Sequence, residues 1–206
     1  MIITNGECFN EIFQRKTGLN SFAFNEAFMI GRVNEHLFTD DFISLRVSSL
    51  NTTLDIYHQK IDDIIKYDYL NCDNIELYFG QDAFCIINVL VLLAYLDKIN
   101  YHNKIVLNII DEDVDDVKIV SRYAMQTDGY YALFIKVFIE KLCIKTKYDF
   151  INKSIQVYLA YHNGNMLKYI QAKHKIDNKE LGFTKEMLAK LYEEGGIDEK
   201  DNDDVS

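Results

Sequence analysis

Apolar residues along this chain recur with two different periods, and the switches between them predict an order of elements. Residues 1–4 form a short apolar run that breaks at Asn5-Gly6, a turn signal. Phe9, Ile12 and Phe13 then fall at helical spacing until Gly18, and 21–24 reads as a second short strand ending at Asn25-Glu26. A loop containing Gly31-Arg32 leads into a long helical stretch over 40–67. Its stripe includes Ile43, Val47, Leu50, Leu54, Tyr57, Ile61, Ile64 and Ile65, with Asp40 or Asp41 as its cap.

The clearest unit follows. Ile75, Leu77 and Phe79 alternate with Glu76 and Tyr78 in a strand over 74–79. Gly80-Gln81 makes the turn, and Asp82 stands where an N-cap belongs. Residues 83–98 are apolar on nearly every face, so this helix must be buried on two sides. Residues 105–110 form the next strand, ending in Asp111-Glu112-Asp113. Strand, buried helix and strand joined by short links make a βαβ unit, whose right-handed crossover produces parallel pairing. A returning helix is predicted over 114–125.

The remainder reads as helical. Asp128 is placed to cap a segment carrying Tyr130, Tyr131, Phe134, Ile135, Phe138, Ile139 and Leu142, and a further helix covers 148–161. Asn163-Gly164 breaks the pattern, and 166–174 and 184–194 are shorter amphipathic pieces. The predicted architecture is α/β: a small, open, Rossmann-like parallel sheet of about four strands over residues 1–126, a helical C-terminal part over 127–194, and an acidic tail over 195–206.

Composition adjusts this picture little. The 206 residues are 49% hydrophobic and 26% charged, in keeping with one globular domain. The absence of Pro and Trp, with abundant Asn, Ile, Lys and Tyr, fits an AT-rich bacterial genome. The net charge of −10 is concentrated at the end, where residues 193–206 carry seven acids against Lys200. That end reads as a solvated tail. Neither part offers the basic stripe that phosphate contacts require, which argues against nucleic acid as a partner. The longest apolar stretch, 86–96, is too short to span a bilayer, so no membrane role is expected. Four scattered cysteines (Cys8, Cys72, Cys85, Cys143) and no secretory leader fit a cytoplasmic protein with reduced thiols.

Candidate chemistry follows from topology. In open parallel α/β sheets, ligands bind outside the carboxyl ends of the strands. Those ends supply Asn5-Gly6-Glu7, Asn25-Glu26, Gly80-Gln81-Asp82 and Asp111-Glu112-Asp113, with Arg32 as a cation nearby. Clustered carboxylates suit a divalent metal or a ligand's hydroxyls, with Asp82, Asp111 and Asp113 as candidate metal ligands. The bland alternative is that Asp82 and Asp113 are simply helix caps. Glu26 and Asp82 are the candidate general bases. Asn88, a polar residue on an otherwise apolar helix, must find partners: either it ties the helix to a neighbouring loop or it reaches toward the strand-end mouth. Gly6 and Gly80 each precede a helix, where backbone amides can hold an anion, but no G-x-G-x-x-G or Walker-type motif accompanies them. Cys8 and Cys85 fall in the first turns of predicted helices, where a thiol can be activated, although Glu7 and Asp82 oppose this. The five histidines show no ligand spacing, and most read as surface residues.

Three segments carry a resemblance: I-I-T-N-G-E at the start, N-E-A-F-M-I-G-R-V, and L-Y-F-G-Q-D-A-F-C-I-I-N-V-L-V-L-L-A-Y-L. They are similar to the bacterial family known as domain of unknown function eighteen thirty-five, with matches at Asn5, Gly6, Glu26, Gly31, Phe79, Gly80, Asp82, Phe84, Cys85 and Asn88. Glu7 departs from the family's frequent Asp or Ser, Tyr78 from its Trp, and only Leu181-Gly182 stands where a G-L-G segment is common. The resemblance covers about residues 1–112 and implies an α/β fold without naming an activity. Two functions stay open: binding of a small polar ligand by Asn5, Gly6, Glu26, Gly31, Gly80, Gln81, Asp82 and Asn88, or a regulatory protein that holds a protein partner through its helical half.

Overall fold

A computed structural model describes residues 1–111 and 116–165. Five strands form one sheet in the order β2-β1-β3-β4-β5: β1 (Ile2–Asn5), β2 (Phe22–Phe24), β3 (Asn74–Gly80), β4 (Lys104–Ile110) and β5 (Ile119–Met125). The first four are parallel to their neighbours, and β5 runs antiparallel to β4. The α/β class and the four parallel strands follow the pattern read from the sequence; the fifth, antiparallel strand does not. Residues 119–125 form a strand where a helix was expected. Only residues 111–118 join it to β4, fewer than the dozen or so a parallel crossover needs, so the chain must turn straight back. Ser121, Tyr123 and Met125 register against the core-facing Ile109, Leu107 and Ile105, and Arg122 lies opposite Asn108 on the other face. A register shift at Ile109/Ile110 marks a bulge near the end of this edge.

Helices α1 (Glu7–Thr17), α2 (Asp40–Ser49), α3 (Leu54–Ile65), α4 (Ala83–Lys98), α5 (Tyr130–Phe134) and α6 (Asp149–His162) complete the described fold. The single helix expected over 40–67 is two. Asn51 takes a positive φ of 52°, and Thr53 caps a new start by accepting the Ile56 N–H at 3.3 Å. The cap of α2 is Thr39 rather than Asp40 or Asp41, which occupy the first turn and face the positive end of its dipole. Gly129, not Asp128, occupies the N-cap position of α5, and the helix continues as a single π turn over Ile135–Ile139. The helices expected over 166–174 and 184–194, and the acidic tail, lie outside the described residues.

Sheet order and handedness together place the helices. β1 to β2 steps one way with α1 on one face, where Phe9, Phe13, Tyr78 and Ile110 form a small cluster. β3 to β4 steps the other way with α4 on the opposite face, in the main core. Right-handed crossovers in opposite directions require this division. As its composition demands, α4 is buried along nearly its whole length, packed on the sheet with α5 and α6 over it. Phe134, Phe138 and Tyr158 bring the outer layer down onto it.

His162 closes the last turn of α6. Its ring lies 4.3 Å from that of Tyr158, and Nε2 sits 3.0 Å from the Met29 carbonyl oxygen. Burial, and then the nearby Lys141 ammonium, push its imidazole down to about 4, against the Met29 bond that favours the protonated ring. The unfolded chain therefore takes up a proton near pH 6.5 that the folded chain resists until about pH 4. This contribution to stability is complete above pH 6.5, declines as pH falls toward 4, and changes no further below that. Allowing for screening of a part-exposed ring, the loss is about 1–2 kcal/mol. Urea unfolding of wild type and His162→Phe at pH 7.5 and 4.5 checks this, with the variant expected to lose less stability over that interval.

Candidate functional site

The strand order reverses between β1 and β3, the place where doubly wound sheets open a crevice at their carboxyl end. Asn5-Gly6 and Gly80-Gln81-Asp82 flank that point, so the structure brings together the ends singled out from the sequence. Gly6 takes φ 74°, a conformation costly for other residues, and leads into α1 with no side chain capping the helix. On the other side Asp82 caps α4, its Oδ1 accepting the Cys85 N–H at 3.0 Å. Its Oδ2 has no partner among the described residues, and no buried side-chain oxygen or nitrogen is left unpaired, so this oxygen remains reachable. Gln81 is exposed beside it, and Gly80 is buried at the end of β3.

Behind this rim lies a polar network. Asn88, 3% exposed, donates from Nδ2 to the Glu26 carbonyl at 2.6 Å and to Asn5 Oδ1 at 3.2 Å. Its Oδ1 accepts the Phe28 N–H at 3.1 Å. Asn5 Nδ2 in turn donates to Cys85 Sγ at 2.9 Å. Asn88 thus ties α4 to the loop after β2, the first of the alternatives raised by the sequence, and also bonds Asn5 at the end of β1. Cys85 is buried within this web, and Cys8 is exposed on α1.

Glu26 occupies a different position from that of a general base. Its side chain is 1% exposed, and Arg46, fully buried, grips it with two parallel bonds: Nη2 to Oε2 at 2.6 Å and Nε to Oε1 at 3.0 Å. The Tyr57 hydroxyl also donates to Oε1, and the Ala27 N–H to Oε2 at 2.7 Å. The remaining Arg46 donors meet the carbonyls of Ala27, Ile30 and Arg32, so all five N–H groups are used. Burial works against the Arg46 charge, but the hydrogen bonds and charge of Glu26 outweigh it and hold the guanidinium above its ordinary value. Burial, then the charge of Glu26, pushes the Tyr57 phenol far up, so it stays a donor. Four donors meet its carboxylate, so this geometry lends no support to the general-base role expected for Glu26.

Gly31 belongs to the same assembly. Its φ is 76°, and a Cβ there would sit 2.8 Å from Arg46 Nη1 and 2.9 Å from Ser49 Oγ. The spacing of Glu26 and Gly31 is therefore explained by one buried arginine: the first neutralises it and the second makes room for it. Arg32, the cation expected near the mouth, is exposed, and it is Arg46 that pairs with Glu26. The apolar pattern places Tyr57 on a core stripe and gives Arg46 no role. A signal existed for Arg46, since it stands on the same helical stripe as Phe42, Ile43 and Leu50, where a charge demands a buried partner.

The metal reading gains little from the donor set. Asp111 binds Lys118 Nζ at 2.9 Å. Asp113 and Glu112 lie outside the described residues. Among the described residues no three His, Cys, Asp or Glu side chains gather as a metal ion would require. Among them, too, no helix is long and apolar enough to cross a membrane. Comparisons with protein-family models, with curated proteins and with solved structures return no match.

Proposed function

We propose that the protein binds a small polar ligand at the carboxyl ends of β1 and β3, where Asp82 Oδ2 accepts a hydroxyl or amine of the ligand and Gln81 and the Gly6 turn border it. The observation that supports this reading is the reversal of strand order between β1 and β3, which starts α1 and α4 on opposite sides of one crevice. In this reading Asn5, Glu26, Gly31 and Asn88 are the scaffold, holding the rim without touching the ligand. The kinship to domain of unknown function eighteen thirty-five is part of the same proposal, and rests on the strand–turn–helix residues 77–96.

Asp82→Asn tests it. Asn caps helices about as well as Asp, so stability should change by less than about 1 kcal/mol. The charge is lost, and with it the ligand. A thermal-shift screen against sugars, phosphosugars, nucleotides and divalent metals should give a stabilisation with wild type that Asp82→Asn abolishes. A saturating ligand contributes roughly 2–3 kcal/mol. No response across the panel would favour the second reading, a protein partner on the helical half, which draws on two exposed residues, Ile139 at the end of the π turn and Leu142 just beyond it. A pull-down with an Ile139→Asp/Leu142→Asp control would then decide.

A further inference from the structure

A second concave feature lies on the outer layer, well separated in sequence from the strand-end rim. It is a groove of about 320 Å³ between the start of α5 and the segment entering α6, a volume at the lower end of small-molecule pockets. Ala132, Leu133, Ile144 and Tyr148 make its walls largely apolar, and Tyr130, Lys136 and Lys147 complete the lining, with the Lys147 ammonium 5.0 Å from the centre of the Tyr148 ring.

Three observations give this groove a chemistry. Tyr130 is 9% exposed, yet its hydroxyl has no hydrogen-bond partner among the described residues and is not sealed from outside. Burial, and then the neighbouring Tyr148, keep that phenol protonated, so it offers a donor. Second, the groove's lining includes Lys136 and Lys147 against the single acid Asp128, in a chain whose net charge is −10. The acid on the rim, Asp128, is turned toward His102, 3.5 Å away. Third, the π turn that follows α5 interrupts regular helix beside the groove, with the Glu140 N–H reaching back to Ile135 at 3.0 Å; such turns recur at binding sites.

We infer that this groove binds a small apolar carboxylate, its hydrocarbon body against Ala132, Leu133, Ile144 and Tyr148 and its carboxylate between the Tyr130 hydroxyl and the Lys136 and Lys147 ammonium groups. Charge-assisted bonds from a buried donor supply the orientation, and the apolar walls supply the contact area. The site is independent of the strand-end reading.

Phenylacetate and its uncharged counterpart phenylacetamide are the probes, titrated into the isotopically labelled full chain and followed by amide chemical shifts at constant ionic strength. Phenylacetate should shift residues 129–148 and saturate, with phenylacetamide binding at least about tenfold more weakly. Tyr130→Phe, which keeps the ring and its packing, should weaken phenylacetate by about tenfold with an unchanged melting temperature, and Leu133→Glu should abolish binding. Shifts that fail to saturate, equal binding of acid and amide, no effect of Tyr130→Phe, or shifts confined to residues 5–8 and 81–85 would each overturn the inference.

Discussion

Replacing Arg46 by Met is expected to lower the unfolding free energy by about 3–5 kcal/mol, the loss typical when one member of a buried ion pair is removed. The side chain left behind explains the size. Glu26 would keep the Tyr57 hydroxyl and the Ala27 N–H but lose both guanidinium bonds, leaving a carboxylate at 1% exposure without its counter-charge. Three loop carbonyls, those of Ala27, Ile30 and Arg32, would lose their donor as well. Glu26→Gln should cost a similar amount from the other side, since it strands the arginine. The double variant Glu26→Gln/Arg46→Met should lose clearly less than the two single losses combined, because a neutral pair has no charge to desolvate. Urea unfolding of all four proteins checks this. A Glu26→Gln protein of full stability that has lost its ligand would instead return Glu26 to the site.

The contrast between what the sequence disclosed and what it hid has physical causes. Helix α4 was readable to its ends because three independent signals agree: an alternating strand, a Gly80-Gln81 turn with the Asp82 cap, and sixteen residues of nearly unbroken apolar character. Strand β5 was not, because its residue types do not follow its alternating burial: Val120 and Ala124 are apolar on the open face and Ser121 is polar on the inner one. The break between α2 and α3 was hidden because Leu50 and Leu54 continue the stripe across it, while the decisive features are one residue at positive φ and one threonine cap. The location of the candidate site was legible, since strand ends gather wherever parallel strands pair. The roles were not. Glu26 reads identically as a base or as an anchor until Arg46, twenty residues on, and Tyr57, thirty-one residues on, are seen to converge on it.

Asn88 joins these two halves of the molecule, and Asn88→Ala should destabilise it by about 2–4 kcal/mol. Three bonds to Asn88 disappear: the Phe28 N–H loses its acceptor, while the Glu26 carbonyl and Asn5 Oδ1 lose a donor, and each buried group left unpaired costs about 1–3 kcal/mol before relaxation. Asn88→Asp should be worse despite its nearly identical shape. It retains an acceptor for Phe28 but sets a second buried carboxylate beside the Glu26 carbonyl and Asn5 Oδ1, where donors are needed. Hydrogen exchange separates this account from a simple packing loss. The Phe28 amide should exchange faster in Asn88→Ala, by more than the global destabilisation explains, because its local partner is gone. Ligand affinity at the strand-end rim should fall as well, since Asn5 is oriented by Asn88 on one side and Cys85 on the other. Unchanged protection at Phe28 would mean that its amide finds another acceptor and that the loop after β2 is held by the packing of Phe24, Phe28 and Phe38 alone. In that event the rim would be set by aromatic packing, and Asn88 would be a passenger in it.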